Sequence, residues 1–133
     1  MRKLAFLLLS AVIFIACGTS ESDKKAARTF LKTEAEAGNA LLEGTQIDAA
    51  TYCDGCQFKN DDVHYYYIID EDILSISTMK ANKDNIKEVQ RTALENIPQS
   101  RMLIENLKKL DGKIVYHYTG TITDETLKIE IEF

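Results

Sequence analysis

These residues predict an α+β domain: an N-terminal helix plus an antiparallel sheet of about four strands, with two helices or one kinked helix inserted between the strand pairs. Three observations carry that prediction. A helical stripe opens the body of the chain, further helical stripes fill its middle, and tyrosine-rich or strictly alternating β segments stand on either side of that middle. No Gly- or Pro-rich linker and no repeat of solenoid length interrupts residues 24–133, so they read as one domain.

The first helix is read from Lys24 to Leu42. Ala27, Phe30, Leu31, Ala35, Leu41 and Leu42 recur at helical spacing, while Lys24, Lys25, Arg28, Lys32, Glu34 and Glu36 fall largely elsewhere. Asp23 can cap its start, and Gly44 can end it in a left-handed turn. Its charges are mixed and form no basic face, which favours core packing over a membrane surface. Asp54-Gly55 then signals a tight turn that would set Tyr52-Cys53 across from Cys56-Gln57. Val63 to Ile69 is a strand by composition, with Val63, Tyr65, Tyr67 and Ile69 on one face and His64, Tyr66 and Ile68 on the other.

Ile73 to Ile76 reads as a further short strand, ahead of the helix-capping residues Asn82 and Asp84. Ile86, Val89, Ala93 and Ile97 give one helical stripe. Leu103, Leu107 and Leu110 give another, closed by Asp111-Gly112, and Pro98 separates the two or kinks one longer helix. In the next strand Ile114, Tyr116 and Tyr118 oppose Val115, His117 and Thr119. The segment from Thr121 to Glu125 makes a turn, after which Leu127, Ile129, Ile131 and Phe133 alternate with Lys128, Glu130 and Glu132. Such alternation means one buried and one wet face, which favours antiparallel pairing.

The N-terminus reads as an export signal. Arg2 and Lys3 form a positive start, Leu4 to Ile15 an apolar run broken by Ser10, and Ala16 the small residue before a cleavage point. As a helix that run rises only roughly 18 Å, against ~30 Å of hydrocarbon, so a permanent transmembrane anchor is disfavoured. All 21 acidic residues lie beyond the signal, whereas two of the 16 basic ones leave with it. The exported chain is therefore acidic, with no basic block interleaved with aromatics, which argues against nucleic acid as a partner.

Phe14-Ile15-Ala16-Cys17 resembles the lipobox of bacterial lipoproteins, although Phe14 stands where that family more often has Leu, Val or Ile. The resemblance implies removal of residues 1–16 and attachment of diacylglyceryl and acyl lipid, palmitate for example, to Cys17. Residues 17–23 would follow as a lipidated, solvated tether, Gly18 to Asp23 holding no apolar residue. It implies a cell-envelope location, the outer membrane in a Gram-negative host, since no Asp follows Cys17. The body is similar to small exported bacterial proteins of unknown function, in which Ile-Asp-x-x-Thr precedes two Tyr-x-Tyr strands, the second introduced by a glycine. Here those residues are Ile47, Asp48 and Thr51, then Tyr65-Tyr66-Tyr67, then Gly112 ahead of Tyr116-His117-Tyr118. That resemblance supports the fold and implies no activity.

Candidate chemistry begins with Cys53-Asp54-Gly55-Cys56. Outside the cytoplasm such a pair is a structural disulfide, a redox centre or half of a metal site. The disulfide is the first reading. Redox chemistry would place the pair at a helix start, which the flanks do not announce, and a zinc site would need His64 and His117 to join the thiols. Tyr65, Tyr67, Tyr116 and Tyr118 read as core or core-edge residues. Tyr66 shares a face with His64 and Ile68, and with Val115 and His117 where the two strands are neighbours, a mixed patch suited to an envelope protein or glycan unless a helix covers it. No serine sits in a nucleophile elbow, no glycine loop cradles phosphate, and the acidic runs form neither a calcium loop nor an acid/base pair. The expectation is a lipid-anchored binding or structural-association module, with no catalytic residue, no metal and no cofactor beyond the lipid. The alternative is a thiol-redox or metal-binding envelope protein using Cys53 and Cys56.

Overall fold

The computed structural model describes residues 20–133, so the expected signal peptide and Cys17 lie outside the described residues. The first helix, α1, spans Glu21–Leu42. Its cap is Ser20 rather than the expected Asp23: the Ser20 hydroxyl accepts the Asp23 N–H at 3.1 Å, and Glu21 and Asp23 place negative charge in the first turn. The last three residues of the expected tether are therefore helical. Gly44, at φ 77°, ends the helix in the left-handed turn expected of it. Ala27, Leu31 and Ala35 form the buried stripe, while Leu41 is exposed.

Two strands follow, β1 (Thr51–Lys59) and β2 (Asp62–Ile69), paired antiparallel. The turn between them is Asn60-Asp61, with φ of 53° and 65°, the pair of left-handed centres that a tight hairpin requires. Asp54-Gly55 is no turn. It lies inside β1 as a bulge, the register shifting between Cys53 and Gly55. Turning at 60–61 sets Phe58 against Val63 and both cysteines against Tyr65 and Tyr67, so a long apolar ladder outweighs the local signal at 54–55.

The segment Ile73 to Ile76, expected as a strand, is a turn running into α2 (Ile76–Ala81). Ser75 caps that helix by accepting the Thr78 N–H, and the Asp70 carbonyl takes the N–H groups of Ile73 and Leu74, so local polar partners replace a ladder. Helix α3 spans Lys83–Asn96. A 3-10 turn at Pro98–Ser100 then separates it from α4 (Arg101–Lys109), making two helices of the stripes that Pro98 divides. Leu110 and Asp111 close α4. A Cβ on Gly112 would collide with the Asp61 carbonyl oxygen, which explains glycine there.

The helices return the chain to the starting end of β2, so β3 (Ile114–Gly120) runs parallel to it, from Val63 beside Ile114 to Ile69 beside Gly120. The final strand, β4 (Thr126–Ile131), pairs antiparallel with β3. The sheet order is β1-β2-β3-β4 and the sheet is mixed, correcting the all-antiparallel expectation within an α+β fold that otherwise stands. Alternation reports one wet face and is silent on the direction of a neighbour joined through helices.

Inward-facing Val63, Ile69, Ile114, Leu127, Ile129 and Ile131 pack with Leu31, Ile76, Met79 and Leu107 from the helices. His64, Tyr66, Ile68 and His117 stand on the opposite, half-exposed face. Among the described residues no helix is long and apolar enough to cross a membrane.

Candidate functional site

The outward face brings together most of the patch read from the sequence. Parallel register sets Tyr66 beside His117 and His64 beside Val115. The Tyr66 ring stacks on His117 with centroids 4.6 Å apart, and His64 Nδ1 lies 2.8 Å from His117 Nε2. Ile68 sits further along β2, beside Thr119 and Tyr52, and takes no part in the stack. Burial pushes both imidazoles below the usual histidine range. The charge of His64 adds to the effect at His117, whereas Asp62 opposes it at His64. Lys128 stands opposite His117 in register. Glu130 holds Lys113 and Lys128, each at 3.0 Å, and its carboxyl is pulled down to about 2, chiefly by the hydrogen bond from Lys128 and then by that from Lys113. The Tyr66 hydroxyl donates to Gln57 Oε1 at 3.5 Å.

Cys53 and Cys56 face inward, side by side on one strand. In a regular strand residues three apart lie on opposite faces; the extra residue of the bulge puts both thiols on the core side. No bond joins them in this structure, and the hairpin expected to set them face to face is absent, because the chain does not turn between them. Burial, reinforced by Cys53, pushes the Cys56 thiol up to about 11. The Cys56 N–H, displaced from the ladder, donates to Asn39 Oδ1 of α1 at 2.9 Å. Since His64 and His117 stand on the other face, the sheet itself separates the thiols from the imidazoles of the Cys-Cys-His-His cluster.

A second site forms on the inward side, where sequence reasoning placed only core. A cavity of about 550 Å³ opens between the sheet and helices α2 and α3, with the loop before β1 at its mouth. Tyr67, Tyr116 and Tyr118 form its floor, their rings stacked in a ladder with Tyr67 5.9 Å from Tyr116 and 5.4 Å from Tyr118. Leu74, Met79 and Ile86 supply apolar walls, and Asp48, Thr51 and Gln90 a polar rim. Asp48 is held by an Asx turn, Oδ1 accepting the Ala50 N–H at 2.9 Å. Gln90 Nε2 donates to the Tyr118 hydroxyl, whereas Gln90 Oε1 is shut off from water with no partner.

Ile47, Asp48, Thr51 and the tyrosines of both Tyr-x-Tyr strands were visible as a sequence pattern, yet their convergence on one cavity depends on the parallel β2–β3 pairing. Met79 comes from a helix whose first residue lay in an expected strand, and Gln90 from a helix face read only for its apolar stripe.

No family model and no curated protein matches the sequence. The structure is similar to the crystal structure of a candidate secreted protein from Pseudomonas aeruginosa, with a TM-score of 0.68 over 86% of this chain and 96% of that one, at 12% identity. At that identity the likeness is one of fold: a solved bacterial protein carries nearly its whole length in the arrangement described above.

Proposed function

We propose that this chain is an exported, lipid-anchored envelope protein whose domain binds a small, largely apolar molecule in the cavity between the sheet and helices α2 and α3. The observation that carries the reading is the cavity itself: about 550 Å³ over a floor of stacked tyrosines, with apolar walls and Asp48, Thr51 and Gln90 at its rim. The volume lies within the usual span of ligand pockets, about 300–1,000 Å³, and apolar walls with a few polar groups are their usual lining.

The open face supports the reading less well, because its polar groups already satisfy one another: His64 with His117, Glu130 with two lysines, Tyr66 with Gln57. Thiol chemistry through Cys53 and Cys56 asks for an accessible thiolate, and Cys56 is buried with its thiol pushed up to about 11.

The test fills the cavity. Ile86→Trp and, from the exposed rim, Thr78→Trp each occupy its volume. Each is expected to weaken the binding of phenylpropanol, a neutral probe, at least about tenfold by titration calorimetry, with circular dichroism unchanged. Probe binding that survives both substitutions overturns the reading.

A further inference from the structure

The headgroup that this cavity accepts can be read from its rim, an inference that rests on the cavity being a binding site. Asp48 is the only charged side chain among the described lining residues. Its Oδ1 is engaged by the Ala50 N–H, an interaction that fixes the carboxylate at the mouth. It stands close enough to Tyr118 to act on that hydroxyl: burial pushes Tyr118 up, the bond from Gln90 acts the other way, and the charge of Asp48 adds to the rise. Gln90 holds the same hydroxyl through its amide nitrogen, and its Oε1 is closed off from water. One anionic acceptor therefore stands at the mouth near Tyr118, and beyond it the lining is mostly aromatic and aliphatic.

That arrangement is selective by charge. A carboxylate ligand would meet Asp48 with like charge. A neutral hydroxyl could donate one hydrogen bond to it and bring no charge. A protonated amine carries N–H donors and the complementary charge, so it can pair with Asp48 while its carbon body lies on the tyrosine floor. The acidic balance of the chain, 21 acidic against 16 basic residues, raises the local concentration of cations. We propose that the cavity takes a primary amine on an apolar body, an arylalkylamine or short alkylamine. Its ammonium lies against Asp48, and its body lies against Tyr67, Tyr116 and Met79.

Three probes sharing one body test this on the exported chain: phenylpropylamine, phenylpropanol and phenylpropionate, titrated by calorimetry. The chain has no tryptophan, so tyrosine emission reports independently whether each probe reaches the tyrosine floor. The amine is expected to bind about tenfold tighter than the alcohol, the carboxylate weakest. Asp48→Asn, which keeps an acceptor for the Ala50 N–H, is expected to erase the amine's advantage, read as the ratio of amine to alcohol affinity within the same variant. An alcohol as tight as the amine, or an advantage that survives Asp48→Asn, overturns the amine assignment and leaves the cavity as a binding site. Failure of all three probes to bind the unaltered chain overturns the cavity reading and the amine assignment with it.

Discussion

His64 and His117 can keep their 2.8 Å contact only while one imidazole is neutral, because the accepting nitrogen must retain its lone pair. Burial lowers both pKa values, so the folded chain binds these protons less readily than the unfolded one. The stabilisation is present above the unfolded histidine value of about 6.5 and is lost as pH falls below it toward the lowered folded values. Urea midpoints at about pH 7.5 and about pH 5.5 are expected to show a loss in the parent chain and a smaller loss in His117→Gln. Equal losses would mean that the pair does not couple to folding. Glu130 and Glu71, whose folded pKa values are depressed, add acid lability only at lower pH, as protons reach the carboxylates. At this scale the outward direction of His64, Tyr66 and Ile68 was legible from period-two alternation alone. The fate of Cys53 was not, since a bulge breaks the parity on which alternation depends.

Among the elements, β1 shows where local signals yield to longer ones. Asp-Gly and Asn-Asp can both supply left-handed turn centres, and the choice between them falls to the ladder each would create. The bulge that results is fastened to α1 by Asn39, whose Oδ1 takes the Cys56 N–H and closely faces Gly55. Asn39→Ala leaves that part-buried N–H without its partner and is expected to cost about 1 kcal/mol in urea or thermal unfolding. Asn39→Asp keeps an acceptor oxygen and, made together with Glu43→Gln to remove the carboxylate that Asn39 Nδ2 now serves, is expected to cost less; if it costs as much as Asn39→Ala in the same background, Asn39 acts through packing and not through the bond. The start of α1 shows the same competition in miniature. Asp23 and Ser20 are both good caps, but helical apolar spacing stops at Ala27 and cannot say how far the unburied first turn extends. Glu71 ties a third junction: its carboxylate accepts the N–H groups of Ile122 and Thr123, joining the end of β2 to the β3–β4 turn.

For the whole molecule the anchor is tested apart from the domain. Cys17→Ser is expected to abolish incorporation of labelled palmitate and to block cleavage of the signal, whereas unchanged cleavage with release of the protein would mark an ordinary secretory signal. The amino-acid sequence by itself determined the properties that depend on near neighbours: the helical and alternating stripes, the division at Pro98 and the side on which each β2 residue stands. Tertiary structure alone decided that β2 and β3 run parallel, that two cysteines three apart share the core side, and that Asp48, Tyr118 and Gln90 meet at one cavity. The reason is physical. Periodicity records which side of an element is dry, but the direction and identity of its neighbours follow from how the intervening helices close over the sheet, and that is settled by packing between residues far apart in the chain.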